Sequence, residues 1–371
     1  MQYDLVFEGG GAKGIVFGGA LQEFFDRGHT IGRLLGTSAG AITATLLAAG
    51  YDAASLLAAV NEKLPDGKAR FSAFMDVPEK FDRYTINNSL AYMIFDAIDL
   101  PLVPQAIEEQ IDKRIMDALL KIAPYRQMFS FFERGGLYAG DNFLGWLKEK
   151  LNAGGRKLGS ATLAGFHKKT GKDISLVASD TIGAEMLVLN HRTAPGVPVI
   201  WAVRMSMSIP FVWQEVRWDP SWGKYRGRHI AGHTIVDGGV LSNFPIDLFI
   251  SPGQEVTDVM GTGQGSGNII GMLIDENLPV PGSEEGKSAE SESDDEKRDI
   301  NHTWFRTTTR ITHLINTMTG ARDHLVMETY KNRICRLPAQ GYGTTEFDMS
   351  DQRVQALVMA GQAAMKAYFD G

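Results

Sequence analysis

Gly36-Thr37-Ser38-Ala39-Gly40 has the spacing G-x-S-x-G. That pattern sets a serine on a sharp strand-to-helix turn, where small neighbours leave its hydroxyl open to a reacting carbonyl. Such a hydroxyl attacks an ester only if one group takes its proton and others hold the developing oxyanion. Two further clusters have the chemistry for those tasks. Gly9-Gly10-Gly11-Ala12-Lys13-Gly14 stands just before a helical pattern, and glycine there lets backbone N–H groups approach an anion at a helix N-terminus. Val236-Asp237-Gly238-Gly239-Val240 follows an apolar run, and a carboxylate within reach of a hydroxyl can serve as general base without an imidazole.

Each cluster alone has a plainer reading. Gly9, Gly11 and Gly14 also fit G-x-G-x-x-G, which cradles a pyrophosphate in dinucleotide-dependent oxidoreductases. Those enzymes need an acid near the end of the second strand for the ribose, and here that strand ends in Gly36-Thr37-Ser38. Asp-Gly-Gly by itself is a common turn. The downstream histidines, among them His167, His191, His229 and His233, carry no triad signature. His229 and His233 are four apart, but Ile230 stands where a zincin has glutamate, so neither a metal nor a cofactor is expected. Taken together, the three clusters supply a nucleophile, a base and oxyanion donors, one each.

The elements that must position these clusters can be read from the apolar pattern. Tyr3 to Phe7 predicts a buried strand, Ile15 to Asp26 a helix, Ile31 to Leu35 a second strand and Ala39 to Ala49 a small-residue central helix. The alternation predicts an α/β layer architecture with a parallel sheet. Ile174–Ala178, Met186–Leu189, Ile230–Val236 and Ile269–Ile274 are further strand candidates. Residues 61–140, rich in Phe and Met and broken by prolines, predict a helical insertion or cap that could face acyl chains. Residues 279–300 read as an acidic flexible loop, and residues 301–371 as a C-terminal helical region packed on a catalytic domain of residues 1–275.

Composition removes other classes. The formal net charge is −7, and the stretch from Ser283 to Asp299 holds eight acids and three bases, so the remainder is near neutral. No basic face for nucleic acid is expected. One cysteine, Cys335, forbids an intrachain disulfide. The run Ala39–Val60 contains Thr43, Thr45, Asp52 and Ser55 and reads as a core helix rather than a membrane span. The first residues lack a basic and then apolar leader, which predicts a cytoplasmic protein or an effector secreted without a classical signal peptide.

The ensemble resembles the patatin-like phospholipase family. Gly135-Gly136-Leu137-Tyr138 followed by Phe143 to Leu151 looks like a helix start of that family. Arg204-Met205-Ser206-Met207-Ser208-Ile209-Pro210-Phe211 is similar to its A-S-x-S-x-P segment, with Met205 in place of the usual alanine. Asp237 to Pro245 is similar to D-G-G-x-x-x-N-x-P. The resemblance spans about residues 3–275 and implies a three-layer α/β/α fold with a central, mostly parallel sheet, and a lipid acyl hydrolase, of phospholipase A or lysophospholipase type, working through a Ser38–Asp237 dyad. It further implies that N–H groups of the Gly9–Gly11 loop, chiefly Gly10 and Gly11, form the oxyanion hole, that Lys13 orients that loop, and that Ser206, Ser208 and Pro210 shape the site. Phospholipid or another lipid ester is the implied substrate, with peripheral membrane contact and an activator left open. A regulated, partner-binding protein on the same fold is the alternative.

Overall fold

The computed structural model describes residues 1–96, 105–251, 253–261, 265, 267–282, 327 and 329–371. The expected acidic loop, apart from its first residues, and most of the helical pattern from His302 to Tyr330 lie outside the described residues.

The chain opens with β1 (Gln2–Phe7), a 3₁₀ turn over Gly11–Ile15, α1 (Val16–Asp26), β2 (Thr30–Thr37) and α2 (Ala39–Ala48). The small residues of α2 allow it to be buried on every side. The apolar run does not continue as one helix. It breaks at Gly50, which has φ +91°, and restarts as α3 (Ala53–Val60). Asp52 caps α3 by accepting the Ser55 N–H at 2.8 Å, while the Ser55 hydroxyl accepts the Asp52 N–H at 3.0 Å.

Between α3 and residue 140 lie α4 (Arg83–Asn87), α5 (Leu90–Asp96), α6 (Gln105–Leu119), α7 (Ala123–Arg134) and the short β3 (Gly136–Tyr138). Then follow α8 (Asp141–Asn152), α9 (Leu163–Thr170), β4 (Ile174–Asp180), β5 (Glu185–Leu189), α10 (Val199–Ser206), β6 (Phe211–Trp213) and β7 (Val216–Arg217). The remaining elements are β8 (Thr234–Asp237), α11 (Asp247–Ile250), α12 (Gln254–Met260), β9 (Ile269–Asp275), β10 (Ile334–Pro338) and α13 (Asp351–Asp370).

The central sheet runs β10-β9-β1-β2-β4-β8-β7, with β5 also on β4, and β3 pairs separately with β6. Strands β10, β9, β1, β2 and β4 are mutually parallel, whereas β5, β8 and β7 add antiparallel pairings at one side. The two-residue alternation of β1 divides the core between the faces. Leu5 and Phe7 join one cluster with α1 and α2, while Val6 joins another with Leu35, Val177 and Phe244. This is a three-layer α/β/α fold with a mixed, mostly parallel sheet. Strand β10 and helix α13 come from the last part of the chain, and α13 packs along α1 while β10 extends the sheet beyond β9. A strand in this region was not read from the sequence.

Candidate active site

Ser38 follows β2 at the very start of α2, with φ 51° and ψ −118°. A side chain rarely adopts that backbone, and the strain points the serine out of both elements. The turn closes tightly, since a methyl on Gly36 would strike the Gly40 carbonyl and one on Gly40 would strike that of Phe7. What holds the strained peptide is a relay from the last residue of α10. The Ser38 N–H donates to Ser206 Oγ at 3.0 Å, and Ser206 Oγ donates to the Val177 carbonyl at 2.6 Å.

Asp237 ends β8, opposite Ala178 of β4, so one strand separates it from β2. Gly238 then turns across the sheet; a methyl there would come 3.0 Å from Thr37 Cγ2, next to Ser38. Asp237 Oδ1 accepts the Gly239 N–H at 2.7 Å, while Oδ2 has no hydrogen-bond partner among the described residues. Burial pushes the carboxyl pKa up to about 7, against the Gly239 N–H and the Ser38 hydroxyl, which both favour the charged form. Beneath it, the Asp237 N–H donates to the Ser208 carbonyl at 2.9 Å. The buried Arg204 guanidinium donates to the Ser208 hydroxyl and to the carbonyls of Ala139 and Gln214, at 2.8 and 3.0 Å for the last two. Burial lowers its pKa to about 10, so it stays a cation.

The glycine loop lies against the serine. A methyl on Gly9 would come 3.2 Å from Ser38 Cβ, and one on Gly14 would come 2.8 Å from Ala39 Cβ. Gly9 is clamped by Asn243, whose carbonyl accepts the Gly9 N–H at 3.1 Å and whose Nδ2 donates to the Gly9 carbonyl at 2.9 Å. Asn243 Nδ2 also donates to Glu8 Oε1 at 3.1 Å, and Glu8 Oε2 accepts the Ile274 N–H at 2.6 Å. The Gly9 donor is therefore spent on the fold. Among the described residues, the N–H groups of Gly10 and Gly11 make no internal hydrogen bond, nor does that of Ala39 at the start of α2. Gly11 has φ +54°, and the next N–H, of Ala12, donates to the Thr344 carbonyl at 2.9 Å. Lys13 is buried and pairs with Glu276, just past β9.

The structure thus brings together Ser38, Asp237 and the Gly9–Gly14 loop. Among the described residues, His233 instead pairs with Asp180 at 2.7 Å, and His167 stacks on His191. Among the described residues, no group of three or more His, Cys, Asp or Glu side chains could hold a metal ion. Sequence reasoning did not single out Glu8, Glu276 or Thr344. Glu8 directly precedes the glycines, which was a usable signal, whereas Thr344 acts through its carbonyl and leaves no trace in residue type. A serine hydroxyl on a strained turn, a buried carboxylate with its pKa raised to about 7 and unengaged N–H donors are what acyl transfer requires.

Bacillus subtilis (strain 168) has a relative, uncharacterized protein YqhO, 28% identical over 369 residues, which are 98% of this chain and 96% of that one. Probable lipid hydrolase 463L of Invertebrate iridescent virus 6 is 23% identical over 117 residues, 31% of this chain and 36% of the viral protein. VipD from Legionella pneumophila aligns over 99% of this chain and 66% of its own, with a TM-score of 0.46 and 19% identity. The type III effector ExoU aligns over 100% of this chain and 53% of its own, with a TM-score of 0.41 and 15% identity. The chain therefore spans about a third of the viral protein and less than two thirds of either effector. The model of the family described as patatin-like phospholipase matches residues 5–250, which include all three clusters, and the chain belongs to that family.

Proposed function

We propose that the protein is a serine-dependent lipid acyl hydrolase of phospholipase A or lysophospholipase type, acting through a Ser38–Asp237 dyad. Family membership supports lipid hydrolysis in general. The observation that carries the finer reading is the buried Asp237 carboxylate beside Ser38, with Oδ2 unpartnered among the described residues and a pKa raised to about 7. A base of that pKa is substantially ionised near neutrality and still strong enough to take a proton.

In this mechanism Asp237 accepts the Ser38 proton as Oγ bonds to the ester carbonyl carbon. The carbonyl π pair moves onto oxygen, and the Gly10 and Gly11 N–H groups hold that oxyanion, with the Ala39 N–H as a further donor. Losing one such donor typically costs about 3–4 kcal/mol of transition-state stabilisation. When the tetrahedral centre collapses, the alcohol or lysolipid leaves with the proton from Asp237. Water, deprotonated by the same carboxylate, then releases the fatty acid and Ser38.

The insertion supports contact with a lipid surface. Tyr84, Leu90, Met93, Ile94, Ile122 and Phe132 are all exposed there, Met93 and Phe132 by 62% and 59%. No described helix is long and apolar enough to cross a membrane, so the contact we propose is peripheral.

Ser38→Ala and Asp237→Asn should each lower fatty-acid release from phospholipid vesicles by at least about a thousandfold. A fluorophosphonate probe should label the wild type at Ser38 only. Near-normal release by either variant refutes the dyad.

A further inference from the structure

Three consecutive glycines hold no shape of their own, so the direction of their N–H groups depends on what grips the loop from outside. This loop is gripped at both ends. At Gly9 the grip is Asn243, through the carbonyl and side-chain bonds described above. At the other end the Ala12 N–H donates to the Thr344 carbonyl at 2.9 Å. Gly10 and Gly11, whose N–H groups make no internal hydrogen bond among the described residues, lie between the two grips. Gly11 is in the left-handed region at φ +54°, and a methyl on it would come 2.1 Å from the Thr344 carbonyl oxygen. Thr344 belongs to the segment between β10 and α13, well beyond the 5–250 stretch that matches the family.

What holds Thr344 in place is one guanidinium. The segment from Gly341 to Glu346 wraps around Arg353, in the first turn of α13. Arg353 Nη2 donates to the Gly341 carbonyl at 2.7 Å, and Nε and Nη2 donate to the two Glu346 oxygens at 2.8 and 3.0 Å. The guanidinium lies 4.1 Å from the centroid of the Tyr342 ring, and the Tyr342 hydroxyl donates to the Arg353 carbonyl at 3.1 Å. Glu346 Oε2 also accepts the Gly343 N–H at 3.0 Å, which closes the turn across Thr344. A planar fork with fixed donors is suited to setting such a turn. Phe347 pins the end of the segment, stacked on Phe71 with ring centroids 6.3 Å apart and edge-on to Trp213 at 5.9 Å.

We propose that Arg353, paired with Glu346, is a positioning residue for the oxyanion hole. It shapes the turn that presents the Thr344 carbonyl to Ala12, and so fixes the aim of the Gly10 and Gly11 donors. The inference rests on the acyl-hydrolase reading above. Donors aimed at the place where charge develops act on the transition state more than on the bound ester. Loosening the turn therefore lowers kcat and leaves KM nearly unchanged. A misplacement of about 1 Å is enough to cost about a hundredfold in rate.

The test is steady-state hydrolysis of p-nitrophenyl butyrate by the full chain. Arg353→Ala should lower kcat by at least about tenfold, with KM within about twofold of the wild type. Arg27→Ala is the control, because Arg27 ties the far end of α13, donating to Asp370 at 2.6 Å and lying 5.2 Å from the Phe369 ring centroid. It should lower the melting temperature and leave kcat within about twofold. A kcat retained by Arg353→Ala, a loss carried by KM, or an equal loss of kcat in Arg27→Ala overturns the positioning role. If Arg353→Ala fails to fold, the isosteric Glu346→Gln, which removes only the charge, should lower kcat by at least about threefold, and an unchanged kcat there overturns the role as well. Ser38→Ala separates the two readings. If it hydrolyses the ester at the wild-type rate, the acyl-hydrolase reading falls; if it is inactive and Arg353→Ala keeps its kcat, only the positioning role falls.

Discussion

Asp237→Asn should do more than stop catalysis; it should stabilise the fold, and the gain should grow with pH. The carboxyl pKa is raised from its ordinary value of 3.8 to about 7, chiefly by burial. In the unfolded chain the group therefore loses its proton at lower pH than in the folded one. As pH rises from about 4 to about 7 the folded state must either keep a proton the solvent no longer favours or bury a charge. Stability falls across that window and levels off above it. At about 1.36 kcal/mol per pH unit the full penalty is at most about 4 kcal/mol. Asn carries no charge and escapes it, so the advantage of the variant should widen by about 3 kcal/mol between pH 5 and pH 8.5, a difference of several degrees in melting temperature. Thermal unfolding of both proteins at the two pH values measures it. Over the same interval the wild-type kcat/KM should fall about tenfold per pH unit below 7, because only the carboxylate accepts the serine proton. A melting difference that does not change with pH, or an acid limb near pH 4, refutes the argument.

Asn243→Ala removes the side-chain donor that holds the Gly9 carbonyl and Glu8 Oε1. It should lower kcat by about tenfold to a hundredfold with little change in KM, read in steady-state kinetics; an unchanged kcat shows that the loop holds its shape without Asn243. Asp in place of both Met93 and Phe132 should weaken sedimentation with phosphatidylcholine–phosphatidylglycerol vesicles by at least about tenfold, and undiminished binding places the lipid-contacting surface elsewhere.

The site was legible in the sequence to the extent that its chemistry is local. Ser38 and its flanking glycines, the glycine loop and Asp-Gly-Gly each occupy a few consecutive residues, and the turn geometry they need restricts residue type. The strands of the parallel half were legible because helices on both faces force them to be continuously apolar. Ile230–Val236 was read too long for a physical reason. Gly232 has φ +85° and His233 turns to Asp180, so the strand begins only at Thr234. Glu276 finds Lys13 across 263 residues, and Thr344 contributes a carbonyl that every residue has. Neither can be found by pattern. Strand β10 is five residues with Arg336 at its centre, too short and too polar to stand out.

The late arrival of β10, Thr344 and α13 in the chain has a consequence for biosynthesis. A ribosome releases Ser38 and Asp237 well before it makes the segment that braces the glycine loop. The nascent polypeptide would carry both reactive side chains while the scaffold around them is unfinished. The last stretch of the chain thus completes a scaffold begun by the first, since α13 packs along α1 and β10 extends the sheet.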